Sequence, residues 1–178
     1  MSHLTLTELE SRARALRVLL FDVDGVLTDG GVYIDADGRE LKRFSIKDGA
    51  ALALAPKFGL VTGLISARAS SATTARAAEL GMQIVMQAVG NKKQALADVI
   101  ANHHFAAHEI GYMGDDLVDL PVISAVGLSA CPSDAAPEVQ AASHWISRAP
   151  GGHGAVREFI EVVLKARAQW DDVLSQYA

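Results

Sequence analysis

Cysteine is almost absent: the 178 residues hold a single one, Cys131. A lone thiol excludes an intrachain disulfide and a multi-cysteine zinc site and is compatible with a reducing compartment, so a cytoplasmic protein is expected. Long apolar runs are missing too. No stretch approaches the roughly 18 to 20 residues of a spanning helix, and Met1-Ser2-His3-Leu4-Thr5 lacks the basic region and apolar core of a signal peptide, so neither membrane association nor export is expected. There is no long Lys/Arg run, and the formal net charge is -5, which argues against nucleic acid as the main partner. Proline is scarce (5 against 15 glycines), charged residues make up 21 % and hydrophobic ones 50 %, the balance of an ordinary globular protein. Residues 1–178 would be cramped as two domains and are read as one domain with a sizeable core.

What the chain does have is an apolar run, Val18 to Phe21, that ends in two carboxylates one residue apart, Asp22 and Asp24, followed by Gly25. Strands buried on both faces read as continuous apolar runs, and ligands of open parallel sheets sit beyond the strands' carboxyl ends. Asp22 and Asp24 are thereby placed at a site mouth, although Asp and Gly also initiate ordinary turns.

The rest of the chain alternates strand and helix. Thr5 to Glu8 and Thr7 to Glu10 both fit a capping box, with a first helix ending near Arg17. Val32-Tyr33-Ile34 and Arg39 to Phe44 flank an Asp-Ala-Asp-Gly turn and predict a hairpin, read equally as edge packing or as a flap or oligomer contact. Asp48 is read as the N-cap of a helix that Pro56 limits. Strands follow at Val61 to Ser66, Gln83 to Met86, Glu109 to Met113, Gly127 to Ser129 and His144 to Ile146. Helices are predicted over 70–80, 91–102, 117–125 and 134–142, and from Gly154 on towards Trp170. This order predicts a three-layer α/β/α, Rossmann-like parallel sheet with a β-hairpin insertion.

Such a topology brings Asp22, Asp24, Ser66, Lys92 or Lys93, Asp115 and Asp116 to one edge of the sheet. Hard oxygen ligands beside a phosphate suit Mg²⁺, while a hydroxyl and an ammonium can hold phosphoryl oxygens. One Asp can act as nucleophile and a second as acid and base. Singly each residue has a plainer reading: Asp115 and Asp116 as a helix cap, the lysine pair as a solvated face, Ser66 as a buried hydroxyl. The histidines form no metal cluster, since His103 and His104 are adjacent and cannot face one ion; His153 stands apart in its glycine loop. A phospho-signalling receiver domain uses similar groups, but its acidic pair and acceptor fall in a different order along the chain. A non-catalytic sugar-phosphate binding module of the same fold is a further alternative.

Asp22-Val-Asp-Gly-Val-Leu-Thr28, Ser66, Lys92 and Gly114-Asp-Asp116 resemble the four motifs of the haloacid dehalogenase superfamily of phosphohydrolases. The hairpin region Gly30 to Asp48, Phe44-Ser-Ile-Lys-Asp-Gly49, Gly114-Asp-Asp-Leu-Val-Asp-Leu-Pro-Val122 and Gly151-Gly-His-Gly-Ala-Val-Arg-Glu158 are similar to one family within it, the phosphatases of 3-deoxy-D-manno-octulosonate 8-phosphate. That likeness covers nearly all of residues 10–167. It implies a lipopolysaccharide-precursor enzyme in which Asp22 forms an aspartyl-phosphate and Asp24 is acid and base. It further implies Mg²⁺ on the Asp22 side chain, the Asp24 carbonyl and Asp115, with Ser66 and Lys92 on the phosphoryl group. Substrate contacts are implied from Asp24, Ser45, Ile46, Lys47, Asp48, Gly49, Arg68, Arg76 and Lys92, and the substrate is a phosphorylated eight-carbon sugar acid or a nine-carbon relative. The family forms homotetramers with the hairpins at the centre and neighbours completing each site, and has no large cap domain. Ala53 and His153 depart from the family pattern, which has arginine at the first position in some members and at the second in many.

Overall fold

The computed structural model describes residues 4–177; Met1, Ser2 and His3, part of the stretch read above for a signal sequence, and Ala178 lie outside the described residues. Helix α1 (Leu6–Ala15) opens on the Thr5 capping box: Thr5 Oγ1 accepts from the Glu8 amide and Glu8 Oε2 accepts from the Thr5 amide. It stops before Arg17 because that residue already belongs to the sheet, its N–H donating to Glu109 and its carbonyl accepting from Val61.

Strand β1 (Val18–Phe21) is fully buried and pairs in parallel with β4 (Val61–Ile65) on one side and β6 (Ile110–Met113) on the other. With β5 (Ile84–Met86), β7 (Leu128–Cys131) and β8 (Trp145–Ile146) the sheet runs β5-β4-β1-β6-β7-β8, parallel throughout. The period of two splits β1 between two cores. Leu19 and Phe21 join the layer of α1, α2 (Ile46–Leu54), α3 (Ser71–Glu79) and α7 (Ala155–Ala166), where Phe21 meets Phe159 edge to face; Val18 and Leu20 join that of α4 (Lys92–His103), α5 (Leu120–Ile123) and α6 (Pro137–Ala142). The predicted three-layer α/β/α sheet is therefore observed. The chain builds β4 and β5 on one side of β1 and then crosses to build β6, β7 and β8 on the other, so the crevice at the carboxyl end of β1 is a topological switch point. Among the described residues no helix is long and apolar enough to cross a membrane.

The predicted hairpin is present as β2 (Tyr33–Ile34) and β3 (Glu40–Leu41), paired antiparallel outside the main sheet with Val32, Tyr33, Ile34 and Leu41 exposed. Three local expectations change. Ser45, not Asp48, caps α2, accepting from the Asp48 amide; Asp48 is buried, and its carboxylate accepts from the Gly154 and Arg157 amides and so caps α7 instead. The helix expected over 117–125 is a 3-10 turn at Leu117–Asp119 followed by the single-turn α5, in which Pro121 takes an early position where no amide is required. The last helix breaks at 167–169, where Ala168 has a φ of +55°, and resumes as α8 (Trp170–Ser175).

Candidate active site

A cavity of about 210 Å³ opens at the carboxyl end of β1, lined by Asp22, Asp24, Ser66, Arg68, Lys92 and Asp115, with Ala67, Asp116 and Val118 at its edges. Asp22 directly follows β1, its amide prolonging the ladder to Met113, and Ser66 directly follows β4, its amide bonded to Met86. Asp115 stands two residues beyond β6. Lys92 is the first residue of α4, behind the Asn91 N-cap, and its buried ammonium lies 2.8 Å from Asp22 Oδ1. Lys93 is exposed, which resolves the choice between the two lysines. Of the adjacent acids, Asp115 faces the cluster, while Asp116 is exposed and caps the following turn by accepting from the Leu117 amide at 2.7 Å.

Gly25 makes the convergence of strand ends sterically feasible. Its φ is +89°, and a Cβ there would lie 2.0 Å from Asp115 Oδ2, so only glycine lets the two acidic segments close on one another.

Sequence reasoning assigned no role to Asp119, which is the hub of the site. Fully buried, it takes Lys92 Nζ at 2.6 Å and the Tyr112 hydroxyl at 2.5 Å on Oδ1, and the amides of Asp115 and Asp116 at 3.0 and 3.2 Å on Oδ2. It lies in the stretch Gly114 to Val122 that resembles the octulosonate phosphatases and is a charged residue among apolar ones, but neither signal by itself gives it a role. Lys42 of the hairpin was missed likewise: its side chain is 3 % exposed and contacts Asp24 Oδ1.

Burial, reinforced by the Asp119 charge and only partly offset by Lys92, raises Asp22 to about 6. Burial, with Asp22 and Asp119 adding to it, raises Asp115 to about 8. Burial also disfavours the Lys92 charge, but Asp22 and Asp119 outweigh it and the ammonium is held above its usual range. Carboxylates crowded in this way favour either a proton or a cation. Ligand oxygens of Asp22, Asp115 and Asp119 lie within 4.8 Å of one another. Those of Asp119 are already engaged four times, whereas Asp115 Oδ1 is buried with no hydrogen-bond partner, so Asp22 and Asp115 are the pair with oxygens to give to a hard divalent cation.

The remaining expected residues separate. Arg68 reaches the cavity rim, where it pairs with Glu40. Arg76 does not: it lies beneath α2 against Gly49, with Nη1 on Glu79 at 2.8 Å and Nη2 donating to the Ser45 carbonyl at 3.4 Å. The reason is that α3 packs its face on the α2 layer, turning Arg76 into that seam. Ser45, Ile46 and Lys47 line a different hollow of about 380 Å³, with Arg43 and His153. His153 Nδ1 donates to the Gly151 carbonyl at 2.8 Å, which leaves Nε2 to accept from Arg43 at 3.1 Å. Asp48 and Gly49 are buried and line neither this hollow nor the Asp22 cavity, Asp48 holding α7.

Residues 62–160, more than half of the chain and spanning Ser66, Lys92 and Asp115, match the haloacid dehalogenase-like hydrolase family. The chain belongs to the haloacid dehalogenase-like hydrolases. The chain is 36 % identical to 3-deoxy-D-manno-octulosonate 8-phosphate phosphatase KdsC of Escherichia coli strain K12, over 93 % of this chain and 88 % of that one. Among solved structures of such hydrolases, it superposes with a TM-score of 0.95 at 30 % identity on the 3-deoxy-D-manno-octulosonate 8-phosphate phosphatase of Moraxella catarrhalis in complex with magnesium, phosphate and KDO, covering 98 % of this chain and all of that one. It also matches the cobalt-bound deoxy-D-mannose-octulosonate 8-phosphate phosphatase of Haemophilus influenzae at 32 % identity and a TM-score of 0.85, covering 88 % of this chain and 92 % of that one.

Proposed function

We propose that this hydrolase removes the phosphate from 3-deoxy-D-manno-octulosonate 8-phosphate in a Mg²⁺-dependent reaction in the cytoplasm. The observation that carries the reading is the meeting of Asp22, Asp24, Ser66, Lys92 and Asp115 in one cavity, in a chain that spans most of its octulosonate phosphatase relatives. Asp22, Asp115 and the Asp24 carbonyl are the groups to hold the metal. Bound there, Mg²⁺ supplies charge that lets an anionic carboxylate approach an anionic phosphate.

Ser66 and Lys92 orient the phosphoryl oxygens. An oxygen of Asp22 attacks phosphorus in line; the bond from phosphorus to the sugar oxygen breaks, and its electron pair leaves with that oxygen, which takes the proton carried by Asp24. Water then attacks the aspartyl-phosphate and gives one proton to Asp24, and the phosphorus to Asp22 bond breaks, releasing inorganic phosphate and restoring the Asp22 carboxylate and the protonated Asp24. Arg68 on the rim is the group to meet the sugar carboxylate. Phosphate release from octulosonate 8-phosphate against a panel of neutral sugar phosphates tests the assignment.

Metal binding has its own pH signature. Asp22 and Asp115 lie above their ordinary values when folded, so the folded metal-free protein holds protons that the unfolded chain has already released. That contribution is complete in acid and is lost as pH rises through about 6 and then about 8. Mg²⁺ replaces those protons, and its stabilising effect is expected to be small near pH 5 and to grow toward pH 8. Thermal melts with and without Mg²⁺ across that range check this; a shift independent of pH contradicts the metal placement.

The protein is further proposed to be a homotetramer. The exposed Val32, Tyr33, Ile34 and Leu41 on a free hairpin form an apolar edge that requires cover, and the hollow lined by Ser45 to Lys47 is separate from the Asp22 cavity of its own chain, as expected if it serves a neighbour's site. Light scattering at assay concentration is expected to give the mass of four chains, and a fully active monomer is the opposing outcome.

A further inference from the structure

The two strands of the hairpin are short and, apart from half-buried Glu40, exposed, yet the residue just past β3 carries one of the least exposed ammonium groups among the described residues. Lys42 contacts Asp24 Oδ1, and its Nζ lies 3.0 Å from Glu40 Oε1, an ion pair without hydrogen-bond geometry. Glu40 in turn pairs through its other oxygen with Arg68 on the far rim of the cavity. Glu40 comes from β3 and Lys42 from the residue just past it, and their contacts with each other, with Arg68 and with Asp24 turn both toward the site. The resulting chain of alternating charge, Asp24 to Lys42 to Glu40 to Arg68, straps the hairpin across the cavity. A lysine side chain loses much rotamer freedom and hydration when it is 97 % covered, and that cost is offset only where its partners are fixed. The contact also divides the work of the Asp24 carboxyl: Lys42 donates to Oδ1, as an ion pair when Asp24 is ionised and as a hydrogen bond when it is protonated, and the second oxygen is left to take up and pass on the proton.

We infer that Lys42 is a positioning residue for the acid/base step, holding Asp24 from the hairpin so that one defined oxygen faces the leaving group. The inference rests on the reading of Asp24 as acid and base, and it concerns orientation, not catalysis by Lys42 itself.

Two aryl phosphates of similar shape isolate the step. Phenyl phosphate expels a basic oxygen that needs a proton, and p-nitrophenyl phosphate expels one that needs little. Lys42→Met is expected to lower kcat/KM for phenyl phosphate about tenfold more than for p-nitrophenyl phosphate. Lys42→Arg, which keeps a cation in reach, is expected to recover most of that difference. In an Asp24→Asn background, Lys42→Met should cost nothing further, because the group it positions has gone. Lys42→Gln serves as a second neutral variant should the methionine disturb folding, and melting curves confirm that each is folded. Equal losses on the two aryl phosphates, or an undiminished loss in the Asp24→Asn background, overturn the inference and leave Lys42 as a structural tie. If Asp24→Asn itself loses equally on both substrates, the role given to Asp24 is what fails, and the positioning role falls with it. Neither result depends on which sugar acid the enzyme accepts.

Discussion

Asp22→Asn is expected to reduce turnover by at least about a thousandfold while leaving the protein no less stable. The amide cannot attack phosphorus, and it offers a metal a poorer ligand than a carboxylate. Stability responds in the opposite sense. Asp22 is held up to about 6 by burial and by the neighbouring Asp119 charge, with Lys92 opposing, so at neutral pH the ionised form is strained in the metal-free fold and a neutral isostere relieves it. The expected pair of results is thus a dead enzyme with an unchanged or higher melting temperature, measured without added metal. A variant that keeps about a tenth of the rate removes Asp22 from the nucleophile's role.

Asp119→Ala is expected to be the most damaging change to both fold and site. The carboxylate satisfies the Lys92 ammonium, the Tyr112 hydroxyl and the amides of Asp115 and Asp116. Removing it leaves a buried charge with one carboxylate fewer and frees the segment that carries Asp115, at a cost of about 3–5 kcal/mol. One effect opposes this, since the loss of a negative charge relaxes Asp22 and Asp115. That relief is the smaller effect, because protonation or a bound cation already supplies it. Asp119→Asn keeps the volume but turns an NH₂ group toward donors, and it should recover only part of the loss. Urea unfolding and phosphate release measure the two consequences; stability within about 0.5 kcal/mol of the parent would show that Asp119 is not the hub.

The sequence was most readable where a single rule decides the structure. An apolar run followed by paired acids gave β1 and the place of Asp22 because strand burial and sheet topology act together there. Ser66 and the pair Asp115 and Asp116 follow from the same rule at the ends of β4 and β6, whereas the choice of Lys92 over Lys93 and of Asp115 over Asp116 comes from the family resemblance and from the structure. The misreadings arise where two local solutions are equally good and the tertiary structure chooses. Ser45 and Asp48 are both good caps three residues apart; the choice is made by the α7 amides of Gly154 and Arg157, more than a hundred residues away, which capture the Asp48 carboxylate. Arg76 lies on a helix whose buried face could not be oriented until α2 was placed beside it. Asp119 and Lys42 fall inside stretches that resemble the family yet receive no role from the sequence, since a lone acid among apolar residues and a lone lysine in a hairpin acquire meaning only from the partners that folding brings.

The most direct measurement is phosphate release from octulosonate 8-phosphate and from glucose 6-phosphate, with Mg²⁺ and with the metal chelated. The expected result is metal-dependent release with kcat/KM at least about tenfold higher for the sugar acid, a gap that narrows in Arg68→Ala because the acid loses its cationic partner. Equal kcat/KM for the two substrates, or release that persists without metal, would contradict the assignment.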